Sequence, residues 1–187
     1  LSTAAQERGM LIHEWLEQAH SRNIKCSKSD ISPVVNNESV SQILNWTQLQ
    51  VEATNEYLKQ HLKACPIKND SESVHEVDMW VMDSDAWVLV GTRPDLLYTD
   101  KNTLVWREVK TTDKKLELSL DAYLDMYSQI SLAIVLMSRV KNLPNLKPAW
   151  NELAKRRVEL EIVTKEDVQV IKFDISDSEI TTAAWKK

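Results

Sequence analysis

The N-terminal third of the chain has the hydrophobic spacing of amphipathic helices. Thr3 followed by Gln6 has the pattern of a capping box, and apolar side chains then recur at helical spacing. Ser39 with Gln42 repeats the capping pattern, and the apolar positions after it continue until Pro66. The two predicted helices span about residues 3–20 and 39–65.

The middle of the chain consists of short apolar runs separated by polar turns. This pattern is typical of three or four antiparallel strands that lie side by side as a meander. The segment TDKN is predicted to be a four-residue turn that is closed by Thr99 and Asn102. The predicted strands have the sequences VDMWV, AWVLV, PDLLY and TLVWREVK.

The last third of the chain returns to helical spacing and then to strands. Residues 116–140 contain neither glycine nor proline and are strongly apolar, which predicts one long helix. VELEIV and VQVIKF are predicted to form a hairpin across TKED, and Ser176 is placed to cap a short final helix. Helices and strands together indicate an α/β fold.

Length and composition favour one domain over residues 1–187. The 187 residues, with 43% hydrophobic and 27% charged side chains, are enough for one real core. The longest apolar run, residues 130–137, is far shorter than the roughly 20 residues of a membrane span. No secretory leader opens the chain, so we expect a cytoplasmic protein without a membrane partner. Because the chain begins with Leu1, we also expect that it was excised from a longer protein.

The two cysteines, Cys26 and Cys65, form neither a disulfide framework nor a CxxC pair. We therefore expect reduced, buried thiols, without a structural zinc or an iron–sulfur cluster from this chain alone.

The net charge of −5 excludes a surface that attracts nucleic acid everywhere, because nonspecific affinity depends on basic residues that neutralise phosphates. Any contact with nucleic acid must be local. The candidates for such a local contact are two basic clusters: Lys110 with Lys114 and Lys115, and Lys155 with Arg156 and Arg157. A solvated face of the protein is an equally good interpretation of each cluster.

Acidic residues and a lysine interrupt the two central apolar runs. Residues two apart in a strand share a face, so Glu108 and Lys110 are predicted to point the same way. With the turn closed as above, Asp95 lies opposite Trp106. Asp95 is then a diagonal neighbour of Glu108, at a Cα separation of roughly 7–8 Å. Two acids and one lysine are thus predicted to converge.

These residue types suit a divalent metal ion. The carboxylates of Asp95 and Glu108 and the backbone carbonyl of Val109 are hard oxygen donors of the kind that Mg²⁺ prefers. Such an ion lowers the pKa of water and clamps a phosphodiester, while Lys110 can stabilise the charge that develops during the reaction. A surface hairpin with a cross-strand salt bridge remains the alternative interpretation of the same residues.

The order of these residues resembles the PD-(D/E)xK nuclease superfamily, with Pro94 and Asp95 as the PD and Glu108, Val109 and Lys110 as the ExK. The resemblance implies a restriction-endonuclease-like core, which is a mixed central β-sheet flanked by helices.

More narrowly, the surroundings resemble the RecB-family branch, to which phage-lambda-type exonucleases are related. That branch has a G-x-x-x-H helix near its start, matched here by Gly9 and His13. It has an acidic residue in the strand before the PD, matched by Glu76, and a glutamine in the helix after the lysine, matched by Gln129.

The resemblance also implies roles for residues outside the hairpin. His13 is expected to be a metal ligand, and an imidazole ligand favours Mn²⁺ over a strict preference for Mg²⁺. Gln129 is expected to be a catalytic and substrate-binding residue near the scissile phosphate. The chain departs from the branch at Ala133, where an aromatic residue is usual. Tyr127 is expected to contact DNA instead, together with Lys114 and Lys115.

The expected function is that of a DNA nuclease that depends on Mg²⁺ or Mn²⁺ and acts as a RecB-like exonuclease in DNA repair, recombination or defence. DNA is the expected partner, as is a helicase or another domain of the parent protein. Two alternatives stay open: a site-specific endonuclease of the same superfamily, and a catalytically silent nuclease-like module that binds DNA or acts as a scaffold.

Tryptophan is unusually frequent, with seven tryptophans against one phenylalanine. Exposed aromatic rings stack on the bases of single-stranded nucleic acid, but most of these rings are better explained by the core. The predicted core tryptophans are Trp15, Trp80, Trp87 and Trp106, and the candidates for lining a channel are Trp46, Trp150 and Trp185.

Overall fold

The computed structural model describes residues 3–21, 45–66, 73–74, 79–83 and 88–187. These residues form seven strands and six helices. The strands are β1 (Ser73–Val74), β2 (Met79–Asp83), β3 (Val88–Thr92), β4 (Leu96–Asp100), β5 (Thr103–Thr111), β6 (Lys155–Val163) and β7 (Val168–Asp174). The helices are α1 (Ala4–Ser21), α2 (Gln48–Ala64), α3 (Leu120–Met126), α4 (Ser128–Arg139), α5 (Pro148–Asn151) and α6 (Ser178–Trp185).

Five of the strands form one sheet in the order β1-β4-β5-β6-β7. β4 is antiparallel to both β1 and β5. Backbone hydrogen bonds join Lys155 to Asn102 at the start of β6 and β5, and Thr112 to Val163 at their ends, so these two strands run parallel. β7 returns antiparallel to β6 across the predicted TKED turn. The predicted α/β fold with a mixed sheet flanked by helices is confirmed.

The predicted meander is wrong in one respect, because β2 and β3 pair with each other in a separate two-stranded sheet and, among the described residues, with no other strand. β4 pairs with β1 on one edge and with β5 on the other. Pro94, between β3 and β4, has no backbone N–H to donate to a continuing ladder.

The second helix begins later than the sequence predicts. Asn45 has a left-handed φ of 55° and Thr47 is extended, so a helix cannot run through these positions. The capping box consists of Thr47 and Gln50, and α2 ends at Ala64, before Pro66 as predicted. The predicted start at residue 39 lies outside the described residues.

The predicted long helix over residues 116–140 is also wrong, because Tyr127 separates α3 from α4. Tyr127 has φ −121° and ψ 78°, far from helical values. Its backbone N–H still donates to the carbonyl of Tyr123, and its own carbonyl accepts from the N–H of Ile130. Neither glycine nor proline marks this break. At α6 the cap is Asp177, which accepts from the N–H of Glu179, one residue after the predicted Ser176.

The turn between β4 and β5 has the predicted length but lies one residue later in the chain. Asp100 pairs with Thr103, so the turn consists of Lys101 and Asn102. Lys101 adopts the left-handed φ of 53° that tight hairpin turns require. Each β4 residue is therefore opposed to a β5 residue two positions later than predicted.

The described residues divide into two compact units. One contains the described residues within 1–72, 109–116 and 161–170, and the other contains those within 73–108, 117–160 and 171–187. β5, β6 and β7 contribute residues to both.

The first unit has an apolar core beneath α1 and α2. Its buried members include Ile12, Trp15, Leu16, Tyr57, Leu58, Leu62, Val109 and Val163. Within this core, the buried His61 and Glu161 lie 2.5 Å apart, from Nδ1 to Oε1. At the end of β5, Asp113 accepts a hydrogen bond from the Tyr57 hydroxyl and pairs with Arg8. A Cβ on Gly9 would lie 3.7 Å from Oγ1 of Thr111, which is an ordinary contact.

A buried polar network lies on one face of β4, β5 and β6 in the second unit. Glu159 is 1% exposed and accepts through Oε2 from Arg107, at 2.6 and 2.8 Å, and from the Tyr98 hydroxyl, at 2.8 Å. Its Oε1 accepts from Arg157, which also pairs with Asp100. An unpaired buried charge would destabilise the fold. Both oxygens of the Glu159 carboxylate are paired, and these contacts offset the free-energy cost of removing it from water.

The prediction of reduced cysteines is wrong at Cys65, which is disulfide-bonded. The other cysteine of the chain, Cys26, lies outside the described residues. Spacing along the chain does not report distance in space, so the sequence could not exclude a disulfide between distant cysteines.

None of the described helices is long and apolar enough to cross a membrane.

The buried network predicts an unusual alkaline titration. Burial, as the largest cause, raises the pKa of Tyr98 to about 12, with a further upward contribution from Glu159 against the lowering effect of Arg107. The neutral phenol therefore stabilises the fold fully below about pH 10, and this stability is lost as the pH rises through about 12. In a tyrosinate absorbance titration, the latest transition should be absent from Tyr98→Phe. A transition near pH 10 in wild type that is absent from Tyr98→Phe would contradict this, because Tyr98 would then titrate like an ordinary tyrosine.

Candidate active site on the β4–β5 hairpin

Asp95 immediately precedes β4, and the register of the β4–β5 hairpin, extended to it, predicts that the two candidate carboxylates lie side by side. β4 begins with Leu96 opposite Arg107, and the same register continued by one residue aligns Asp95 with Glu108. Directly opposed residues of an antiparallel pair have Cα atoms about 4.5–5.5 Å apart and project from the same face. The predicted pairing of Asp95 with Trp106 is wrong, because Trp106 is opposite Leu97. Because the register is shifted by two residues, the predicted shared face of Asp95 and Glu108 does not change.

Glu108 is buried and held by a neighbour on its own strand. It is 1% exposed, whereas Asp95 is partly buried. The indole Nε1–H of Trp106 donates a hydrogen bond of 2.8 Å to Oε1 of Glu108. This contact shows that residues 106 and 108 share a face, as the two-residue period of a strand requires.

Strand alternation distributes the rest of the ExK segment. Lys110 is partly buried and follows Glu108 by two positions, so it projects from the same face of β5 as Glu108. Val109 lies between them and is a buried member of the apolar core on the other face. Its side chain fixes the strand, while its backbone carbonyl is the atom predicted to bind metal.

The donor set of the hairpin fits a hard divalent cation. Asp95 and Glu108 supply carboxylate oxygens, and two carboxylates at adjacent positions repel each other unless a cation neutralises them. Among the residues that the structure describes, no three His, Cys, Asp or Glu side chains form a group that could hold a metal ion. Backbone carbonyl, water and phosphate oxygens would have to complete the coordination, as is usual for Mg²⁺.

The helical candidates occupy separate positions in the fold. His13 is partly buried on α1, one residue after the core residue Ile12, and its metal-binding role stays a prediction. Glu76 lies outside the described residues.

Gln129 and Tyr127 lie at the junction of α3 and α4. Tyr127 is partly buried, and burial raises the pKa of its phenol. Gln129 is exposed in the first turn of α4 and lines a groove of about 410 Å³ with Trp185 and Lys187. Ala133, one turn further along α4, is completely buried. An aromatic side chain at this position would have to displace the side chains that pack against α4. This steric limit accounts for the departure from the expected pattern.

The two basic clusters differ in their contacts. Lys114 and Lys115 are exposed, and Lys115 forms a loose pair with Asp167 at 3.6 Å. By contrast, Arg156 donates to the backbone carbonyls of Met137, Val140 and Lys141 at the C-terminal end of α4. The partners of Arg157 are Asp100 and Glu159. These two arginines are therefore committed to the fold.

The tryptophans are distributed differently from the prediction. Trp15 and Trp106 are buried as expected, but Trp80 is 63% exposed and covers Gly91, where a Cβ would lie 2.4 Å from its ring. Trp150 is buried and cannot line a channel. Trp185 is half exposed, with the Arg139 guanidinium 3.4 Å above its ring. Trp46 packs against the first core, and Trp87 lies outside the described residues.

Two features of the site were not predicted from sequence. The bond from Trp106 to Glu108 was accessible in principle, because the two residues are two apart in one strand. The pair formed by Arg107 and Glu159 joins residues 52 positions apart, so no local pattern could identify it. Both contacts involve β5. The bond from Trp106 to Glu108 lies on one face of this strand, and the bond from Arg107 to Glu159 lies on the other.

Comparison with known families identifies one superfamily for the chain. A family model of the PD-(D/E)XK nuclease superfamily matches residues 2–186, which is nearly the whole chain. No curated protein matches the sequence.

Proposed function

Because the chain belongs to the PD-(D/E)XK nuclease superfamily, whose members are generally nucleases, we propose that it is a divalent-metal-dependent deoxyribonuclease that hydrolyses phosphodiester bonds. The observation that carries this proposal is the register of the β4–β5 hairpin, which pairs Leu96 with Arg107 and, extended by one residue, would align Asp95 with Glu108. Within the superfamily, we propose a RecB-like exonuclease that acts in DNA repair, recombination or defence.

Asp95, Glu108 and the carbonyl of Val109 would hold Mg²⁺ or Mn²⁺, and His13 is the proposed additional ligand. When bound, the ion neutralises phosphate charge and makes water more acidic. The carboxylates of Asp95 and Glu108 would orient the reacting phosphate indirectly, because they determine where the positively charged ion lies.

Lys110 contributes a compact positive charge on the same face of β5. We propose that Lys110 stabilises the negative charge that accumulates on the phosphate oxygens as the bond to the leaving group breaks. A lysine fixed by a strand is suited to this role, because its backbone does not have to reorganise during the reaction.

Substrate contacts outside the hairpin are assigned to four residues. Gln129 is the proposed contact near the scissile phosphate, with Tyr127 beside it. The exposed Lys114 and Lys115, which follow β5, provide local positive charge in a chain of net charge −5. Such a local patch gives salt-dependent affinity for the DNA backbone without sequence preference.

Cleavage of three labelled DNA substrates tests the proposed activity. We expect linear single-stranded or duplex DNA to be degraded with Mg²⁺ or Mn²⁺, and covalently closed circles to resist. Degradation of circles would instead indicate a site-specific or other endonuclease. DNA binding without cleavage under all metal conditions would identify a catalytically silent module and overturn the proposal.

Isosteric variants test the carboxylate pair. Asp95→Asn and Glu108→Gln should each reduce cleavage below detection and weaken Mn²⁺ binding, because each removes a charged metal ligand. Asp100→Asn is the matched control, since Asp100 belongs to the same hairpin but pairs with Arg157 on the opposite face. Calorimetric Mn²⁺ titrations and cleavage rates provide the measurements. Near-wild-type cleavage by either site variant would reject the assignment.

Lys110→Ala separates catalysis from simple ion pairing. If Lys110 acts on the phosphate, single-turnover cleavage at saturating Mn²⁺ should fall on the order of 10²-fold or more, with Mn²⁺ still bound. If it only forms a surface ion pair, the variant should lose about 0–1 kcal/mol of stability and cleave normally. Lys101→Ala, in the exposed turn of the same hairpin, is the control. Loss of metal binding in Lys110→Ala would assign the lysine to site architecture instead.

A further inference from the structure

The side chain that contacts Glu108 is an unusual choice for its position. Trp106 is completely buried on β5, directly opposite the buried Leu97. A phenylalanine or leucine would satisfy the apolar requirement of that position. A tryptophan adds one indole N–H, and a buried N–H is costly unless it has an acceptor.

The acceptor of this N–H is a carboxylate. The 2.8 Å hydrogen bond ends on Oε1 of Glu108, which is 1% exposed. A hydrogen bond from a neutral donor to a charged acceptor is stronger than one between neutral groups. It also restricts rotation of the terminal carboxylate, which is otherwise the softest torsion of a glutamate side chain.

Both residues are fixed by the same strand. Trp106 and Glu108 are two apart in β5, so the donor and the acceptor move together with one backbone. Between them, Arg107 points to the opposite face and binds Glu159, which anchors this part of β5 to β6. The orientation of the Glu108 carboxylate is thus set before any cation arrives.

We propose that Trp106 is a positioning residue for the metal site, in which its indole N–H holds the Glu108 carboxylate in the orientation that binds the divalent ion. This inference rests on the proposed function and adds a residue to it. A carboxylate that is already oriented loses less conformational freedom when it binds a cation. Partners that orient metal ligands typically contribute 10–100-fold to metal affinity or activity.

Trp106→Phe removes the donor and keeps an aromatic ring. We expect the dissociation constant for Mn²⁺ to rise by about 10–100-fold in a calorimetric titration. Single-turnover cleavage should be slow at limiting Mn²⁺ and should recover substantially at saturating Mn²⁺, because Trp106 acts through the occupancy of the site. Trp150→Phe, at a buried tryptophan of α5 in the same unit, is the matched control and should leave Mn²⁺ affinity unchanged.

A phenylalanine also leaves some space unfilled, so a second substitution isolates the N–H. Benzothienylalanine at position 106, introduced by amber suppression, replaces the indole N–H by sulfur at nearly constant shape. It should fold like wild type and reproduce the loss of Mn²⁺ affinity. This variant decides the question if Trp106→Phe fails to fold.

The possible outcomes separate this inference from the proposed function. Wild-type Mn²⁺ affinity in the benzothienylalanine protein, with binding lost in Glu108→Gln, would overturn the role of Trp106 and leave the metal site in place. Failure of the wild-type protein itself to bind Mn²⁺ or Mg²⁺ would overturn both. Reduced affinity in both Trp106 variants, with Trp150→Phe unaffected, is the result expected from positioning.

Discussion

The antiparallel register between β4 and β5 is the constraint on which the candidate site depends. The two-residue turn at Lys101 and Asn102 sets it, and every later pair follows from the match of Asp100 with Thr103. Continued to the start of β4, this register aligns Asp95 with Glu108. A slip of one residue would send one carboxylate to the opposite face, so a single backbone choice determines whether the acids can act together.

β5 carries oppositely charged groups on its two faces. Arg107 faces Glu159 in a network that joins β5 to the parallel strand β6, while Glu108, on the other face, accepts from Trp106 and is the proposed partner of Asp95 at a metal ion. The fully paired network can be buried because each charge has its partner. Two adjacent carboxylates have the opposite requirement, since their mutual repulsion favours a bound cation. One strand therefore combines a self-sufficient structural face with a face suited to metal ions.

Local patterns predicted which residues share a face of a strand better than they predicted how the strands pair. The shared face of Glu108 and Lys110 was predictable, because the period of a strand is fixed by the backbone. The register was not, since TDKN is compatible with two closing pairs and the left-handed residue is Lys101, where glycine or asparagine is usual. The break at Tyr127 lacks glycine and proline, and the contact between Arg107 and Glu159 spans 52 positions. Such features depend on tertiary packing, which spacing does not encode.

The central claim is that Asp95 and Glu108 bind one divalent ion together. Anomalous diffraction from crystals grown with Mn²⁺ tests it most directly, because the peak locates the metal without reference to activity. The account predicts a peak within bonding distance of both carboxylates, at the roughly 2.0–2.2 Å typical of small divalent ions with oxygen ligands. Two results would contradict it. One is a peak that contacts neither carboxylate, and the other is the absence of a peak between Asp95 and Glu108 at saturating Mn²⁺.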